Sequence, residues 1–224
     1  MLFHPIQLLA HWMGGYPLRK KVVDVMCCIQ VYSLSIVGAR FTFKGLSKLP
    51  TDRPLIIVAN HQTLFDISPI VWAFRRHHPK FVSKKELGKW IPSVSLNLRL
   101  GGSVLIDRSN QRQSIVEILK LGKHIEAENY SACIFPEGTR SKNGKVGAFQ
   151  SAGLAGLMRS APNALIVPFA IKGNYQLFAK KGFPFALGTK VEFTALAPIE
   201  PKGQKPEALT QSIHEKIVAI VENS

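Results

Sequence analysis

The 224-residue chain predicts an α/β fold: a mixed, mostly parallel sheet flanked by helices, behind an N-terminal apolar helical element that associates with membrane. Three observations carry this expectation. From residue 40 onward, short apolar runs rich in branched residues alternate with longer segments of helical spacing, the order of strands joined by crossover helices. One such run, Leu55-Ile56-Ile57-Val58-Ala59, is apolar without interruption, as a strand buried in the core would be. The first forty residues have a different texture, two apolar stretches broken by Gly14-Gly15 and by Arg19-Lys20-Lys21.

Taken in order, strands are expected at residues 40–44, 54–59, 80–83, 103–106, 131–135, 165–171 and 189–194. Helices are expected at 65–77, 85–98, 112–128, 149–160 and 207–222. Leu209, Ile213, Ile217 and Ile220 fall at helical spacing and define a core-facing stripe on the last of these. Pro136 ends the 131–135 strand because it has no N–H for a ladder. No internal repeat or low-complexity tract interrupts the order, so residues 40–224 read as one domain preceded by membrane-associating helices at 1–39.

The N-terminal segment is too short to span a bilayer comfortably. Residues 22–37 are apolar apart from Asp24, Gln30 and two serines, but number only 16. A spanning helix needs about 20 predominantly apolar residues, and extension to residue 43 would bury Arg40. Two helices lying in one leaflet are expected, with a single span as the alternative. The formal charge of +15, from 29 basic and 14 acidic residues, points to an anionic partner. Phe and Leu interleave with the cations, as in the run from Lys180 to Phe185, which suits an anionic phospholipid surface. No nucleic-acid motif is present, and no nucleic-acid partner is expected. Cys27, Cys28 and Cys133 have neither metal-ligand nor bridging spacing and are expected as reduced thiols. No metal is implied.

Chemistry concentrates in Asn60-His61-Gln62-Thr63-Leu64-Phe65-Asp66. Five helical steps would set His61 and Asp66 about 140° apart around an axis, so the two meet only if the chain bends between them. A strand-to-helix turn supplies that bend, at the carboxyl edge where α/β sheets expose reactive groups. A histidine oriented by a carboxylate suits general-base chemistry on a hydroxyl. A plainer alternative has Asn60 and Thr63 as helix caps and Asp66 at the positive end of the helix dipole. Farther on, Glu137-Gly138-Thr139-Arg140 leaves the 131–135 strand at the same edge. Gly138 permits a positive φ there, and Arg140 offers a planar fork of donors. Asp107 and Arg108 follow the 103–106 strand and read alone as a surface ion pair.

These segments together resemble the glycerolipid acyltransferase family, and within it the bacterial 1-acyl-glycerol-3-phosphate acyltransferases. The resemblance rests on four ordered blocks across roughly residues 40–200. They are the His61-x4-Asp66 block, Gly102-Ser103-Val104-Leu105-Ile106-Asp107-Arg108, Phe135-Pro136-Glu137-Gly138-Thr139-Arg140-Ser141, and Val167-Pro168-Phe169. Thr63 stands where the family more often has Ser, and Val167-Pro168-Phe169 reads as a strand end.

The resemblance implies a catalytic pair, His61 and Asp66, and a substrate-binding set of Arg108, Glu137, Gly138, Thr139 and Arg140 around the acceptor's phosphate. Backbone amides near Gly138 are candidates for an oxyanion site. The acceptor implied is lysophosphatidic acid. The co-substrate is acyl-CoA or acyl carrier protein thioester, with no cofactor. Another lysolipid acceptor stays open, as does a non-catalytic basic lipid-surface module. The implied location is the cytoplasmic face of a bacterial inner membrane, peripheral or monotopic, with a single span as the alternative.

Overall fold

A computed structural model describes residues 3–89, 93–178 and 185–222. Seven strands form one sheet in the order β1-β7-β6-β2-β5-β3-β4. They are β1 (Arg40–Lys44), β2 (Leu55–Ala59), β3 (Pro79–Lys84), β4 (Val104–Ile106), β5 (Ser131–Ile134), β6 (Leu165–Lys172) and β7 (Lys190–Ala195). Every pairing is parallel except β6 with β7.

The helices are α1 (Phe3–Ser33), α2 (Ile67–Ala73), α3 (Val94–Leu100), α4 (Gln111–Glu128), α5 (Ser151–Ser160), α6 (Asn174–Leu177) and α7 (Pro206–Glu222). β2 is buried along its whole length because both faces are covered. Leu55, Ile57 and Ala59 join a core with Val23, Met26 and Cys27 of α1 and Ile70 and Val71 of α2. Ile56 and Val58 join the opposite core with Ile118, Leu121 and Ile125 of α4, Leu154 and Leu157 of α5, and Leu209, Ile213 and Ile217 of α7. Strand periodicity of two sends alternate side chains into the two cores, which is why this strand reads as an unbroken apolar run.

The expected strands all form, each within a residue of its expected bounds, whereas the helices differ in places. The single helix expected over 65–77 is three pieces: a 3-10 turn at Leu64–Asp66, α2, and a second 3-10 turn at Arg75–His77. Thr63 caps the first piece by accepting from the Phe65 N–H, and Phe74 (φ −97°, ψ 24°) closes α2. The 85–98 helix is replaced by a 3-10 turn at Lys85–Gly88 and by α3, and residues 90–92 fall outside the described part. Most of the Lys180–Phe185 cluster also lies outside the described residues.

Val167-Pro168-Phe169 is not a strand end but lies inside β6. The carbonyl of Pro168 accepts from Leu196 N–H, just past the end of β7. The ring nitrogen of Pro168 faces the same side, where the ladder with β7 has already stopped, so no sheet hydrogen bond is lost.

α1 is two limbs. Gly14 (φ −143°, ψ 18°) and Gly15 (φ 59°, ψ −148°) break it where the Gly-Gly pair was expected to. Among the described residues, no helix is long and apolar enough to cross a membrane.

Candidate active site

β2, β3, β4, β5 and β6 run parallel, so their carboxyl ends share one edge of the sheet. His61 follows β2, Lys84 ends β3, Arg108 follows β4, Glu137 follows β5, and Asn174 follows β6. One topological fact therefore gathers residues 113 positions apart in sequence at a single edge.

The bend between His61 and Asp66 is present. His61 Nδ1 lies 2.7 Å from Asp66 Oδ2. The same oxygen accepts the backbone N–H groups of Gln62 (2.7 Å) and Thr63 (2.9 Å). Asp66 Oδ1 accepts from Asn174 Nδ2 at 2.5 Å and, at 3.4 Å, from the Thr63 hydroxyl. Asp66 is 0% exposed, and this many donors offset the desolvation of a buried carboxylate. Thr63 and Asp66 form a capping box, so the helix-cap reading holds for these two residues but not for Asn60, whose side chain bonds the Ile171 backbone. The capping carboxylate is the one that holds the histidine.

A carboxylate accepts only, so the hydrogen-bond network assigns the proton to Nδ1 and leaves Nε2 with its lone pair. The imidazole stacks on Phe135 at 4.1 Å between ring centroids, and its side chain is 14% exposed. Its plane is fixed while one edge stays within reach of solvent.

Glu137 lies beside this pair, and its contacts are with backbone. Oε1 accepts from His61 N–H at 2.7 Å and Oε2 from Gly147 N–H at 2.8 Å. Ser141 N–H donates to the His61 carbonyl at 2.8 Å, so the loop after β5 grips His61 from both sides. Burial raises the Glu137 pKa above its ordinary value, and the two backbone N–H groups oppose that shift. Gly138 takes φ +66°, and its N–H donates to the Phe135 carbonyl at 3.0 Å. That amide closes a turn, which commits the Gly138 N–H itself to the chain.

The family model described as "Acyltransferase" matches residues 40–172, more than half of the chain, including His61, Arg108 and Glu137 but not Asn174. The chain belongs to the acyltransferase family. It is 27% identical over 197 residues to "1-acyl-sn-glycerol-3-phosphate acyltransferase alpha" of Ovis aries, covering 84% of this chain and 65% of that protein. The Homo sapiens protein of the same name is 27% identical over 198 residues, covering 84% and 66% respectively. The chain thus spans about two thirds of the length of these curated relatives. Among solved structures, the 1-acyl-sn-glycerophosphate (LPA) acyltransferase PlsC from Thermotoga maritima superposes with a TM-score of 0.77 at 27% identity. That match covers 99% of this chain and 88% of the other.

The remaining expected residues of this acyltransferase occupy the rim. Thr139 and Arg140 are exposed on the β5 loop, and Arg108 is exposed beyond β4. The expected Asp107–Arg108 ion pair is absent. Asp107 instead binds Lys85 at 2.8 Å and the Ser109 hydroxyl at 2.5 Å, and Arg108 has no hydrogen-bond partner among the described residues. Arg140 leaves the strand next to that of His61, while Arg108 leaves β4, three strands away. From β5, the strand of Arg140, β4 is two spacings away, about 10 Å. A ligand held by both guanidinium groups must therefore lie across the ends of β5 and β3, past Lys84.

Sequence reasoning missed Asn174, Gln62 and Asn60. Asn60 exchanges both amide hydrogen bonds with the backbone of Ile171 (2.9 and 2.8 Å). Gln62 Oε1 accepts from Tyr175 N–H at 3.0 Å. The available signal was two amide side chains flanking a candidate base at the end of an apolar strand, where burial demands partners.

Proposed function

We propose that this acyltransferase moves a fatty acyl group from an acyl thioester to the sn-2 hydroxyl of a 1-acyl-glycerol 3-phosphate, giving phosphatidic acid. The observation that carries the reading is the His61–Asp66 pair, with Nδ1 locked at 2.7 Å to a buried carboxylate and Nε2 left to accept a proton. Similarity to the sheep, human and Thermotoga maritima acyltransferases, each named for a 1-acyl-glycerol phosphate acceptor, supports the glycerolipid class.

In this mechanism the acceptor hydroxyl gives its proton to His61 Nε2 as its oxygen attacks the thioester carbonyl carbon. Asp66 stabilises the imidazolium and keeps its own protonation state. The tetrahedral intermediate collapses, the C–S bond breaks, and the thiolate takes the proton back from Nε2. No acyl-enzyme is required. The exposed Arg108 and Arg140 suit the acceptor phosphate, converting binding into position. Glu137 acts through the His61 backbone.

The exposed apolar residues of α1 support work at a lipid surface. Trp12 is 84% and Ile36, just beyond α1, 90% exposed, with Leu9, Met13, Ile29 and Tyr32 also open. Gln30 accepts from the Ser68 hydroxyl at 2.7 Å, which sets the last turns of α1 against the start of α2, the helix that follows the site turn. Cations across the chain complement an anionic leaflet, and the three cysteines are free thiols, consistent with its cytoplasmic side.

Purified protein in detergent, given lysophosphatidate with acyl-CoA or acyl carrier protein thioester, is expected to form phosphatidate with at least one donor. Absence of product with both donors, and also with other lysolipid acceptors, overturns the enzymatic reading in favour of a lipid-surface module.

A further inference from the structure

Asn174 is wholly buried, at 0% exposure, and starts the four-residue helix α6. Its Nδ2 lies 2.5 Å from Asp66 Oδ1. The other end of the same amide, Oδ1, is buried with no hydrogen-bond partner among the described residues. Flipping the amide would set its oxygen against a carboxylate that can only accept, so the orientation is fixed and the orphaned carbonyl is its consequence. An orphaned buried acceptor costs about 1–3 kcal/mol. Packing alone does not account for an amide that leaves one end unsatisfied in order to place the other on Asp66.

The approach is held on both sides. Gly173 turns the chain out of β6 at φ 87°, where an added Cβ would fall 2.1 Å from the Lys190 carbonyl oxygen. Asn60 fixes the register of β6 at Ile171, and Gln62 fixes Tyr175. The His61 turn and residues 171–175 are thus stitched together by four side-chain hydrogen bonds, the last of which ends on Asp66.

We infer that Asn174 is a positioning residue of the catalytic pair, its side-chain amide orienting the Asp66 carboxylate and moderating the negative charge that faces His61. This rests on the reading of His61 as the base. Oδ2 keeps three donors without Asn174, but Oδ1 would retain only the 3.4 Å contact with Thr63. The carboxylate would then be free to tilt, and its less neutralised charge would hold an imidazolium more strongly.

The test compares native protein with Asn174→Ala and with Asn174→Ser, which keeps a hydroxyl donor. For Asn174→Ala we expect kcat to fall about 10–100-fold, by analogy with the loss seen when hydrogen-bond partners that orient metal-binding side chains are removed. KM for the lysolipid should stay within about threefold by the same reasoning. The acid limb of the pH–rate profile should move to higher pH, and Asn174→Ser should recover part of each change.

The tautomer of the His61 ring, read by NMR of histidine-labelled protein and identified by its loss in His61→Ala, should be held with the proton on Nδ1 in native protein and become mixed in Asn174→Ala. That arm needs no substrate. A native protein inactive on lysolipids counts against the proposed function, while the NMR comparison still decides the role of Asn174. A folded Asn174→Ala, or Asn174→Ser if the alanine variant does not fold, with kcat, acid limb and ring tautomer unchanged would overturn the inference.

Discussion

Each polar side chain at the carboxyl edge is defined by what it donates to or accepts from. Glu137 separates two roles that sequence alone leaves merged. As a direct ligand of the acceptor its loss would raise KM, but both its oxygens are occupied by backbone N–H groups, 2.7 Å from His61 N and 2.8 Å from Gly147 N. A glutamine has one acceptor and would turn a donor toward one of those two donors, at a cost of about 1–3 kcal/mol. Glu137→Gln should therefore lower the melting temperature and reduce kcat, with KM for the acceptor little changed. Thermal denaturation alongside steady-state kinetics checks this, and a selective rise in KM would restore the ligand role. The identity and spacing of His61 and Asp66 were legible because a base and a carboxylate five positions apart after an apolar strand demand a bend. The contacts of Glu137 and Asn174 were not, because each depends on where another strand's loop falls, 76 and 108 positions away in sequence.

Among the elements, the strands were readable and the joints between helices were not. β2 announces itself as five buried residues, whereas the breaks around α2 come from a side-chain cap at Thr63 and from local dihedrals at Phe74. The four-residue α6 carries no periodicity to read. The attachment of α1 to the sheet was also invisible in sequence. At the amino end of β3, Lys80 is 3% exposed. Its ammonium donates to Tyr16 Oη at 2.5 Å and lies 4.4 Å from the ring centres of both Tyr16 and Tyr130. Burial first, then Arg19 and Lys20, push its pKa down from 10.5 to about 7, against the weaker pull of Glu128 and Asp24. The unfolded chain keeps this proton up to about 10.5, while the native protein releases it near 7. Between those values the unfolded state binds more protons, so this group makes stability rise with pH across the window and leaves it flat below. Urea midpoints from pH 7 to 10 should rise in native protein and rise less in Lys80→Met. Parallel slopes would contradict the burial of a titrating lysine.

For the whole molecule, the sheet places chemistry at one edge and α1 lays exposed apolar surface beside it. The net charge of +15 and the exposed Trp12, Met13 and Ile36 belong to one surface reading, in which cations meet lipid phosphates and apolar side chains enter the acyl boundary. Trp12→Ser combined with Ile36→Ser should weaken sedimentation with anionic vesicles by about two orders of magnitude or more, given roughly 1.5–3 kcal/mol for each large apolar side chain buried and about 1.4 kcal/mol per tenfold. Activity on detergent-dispersed lysolipid should be retained, and equal vesicle binding by native and variant protein would remove α1 from the lipid contact. The central claim is that His61 serves as the general base of a direct transfer. Its most direct measurement is kcat/KM for phosphatidate formation by native protein and by His61→Ala, on preparations with matching circular dichroism and melting behaviour. Loss of the base should cost about 10²–10⁴-fold, and a folded His61→Ala within a few-fold of native would contradict the account.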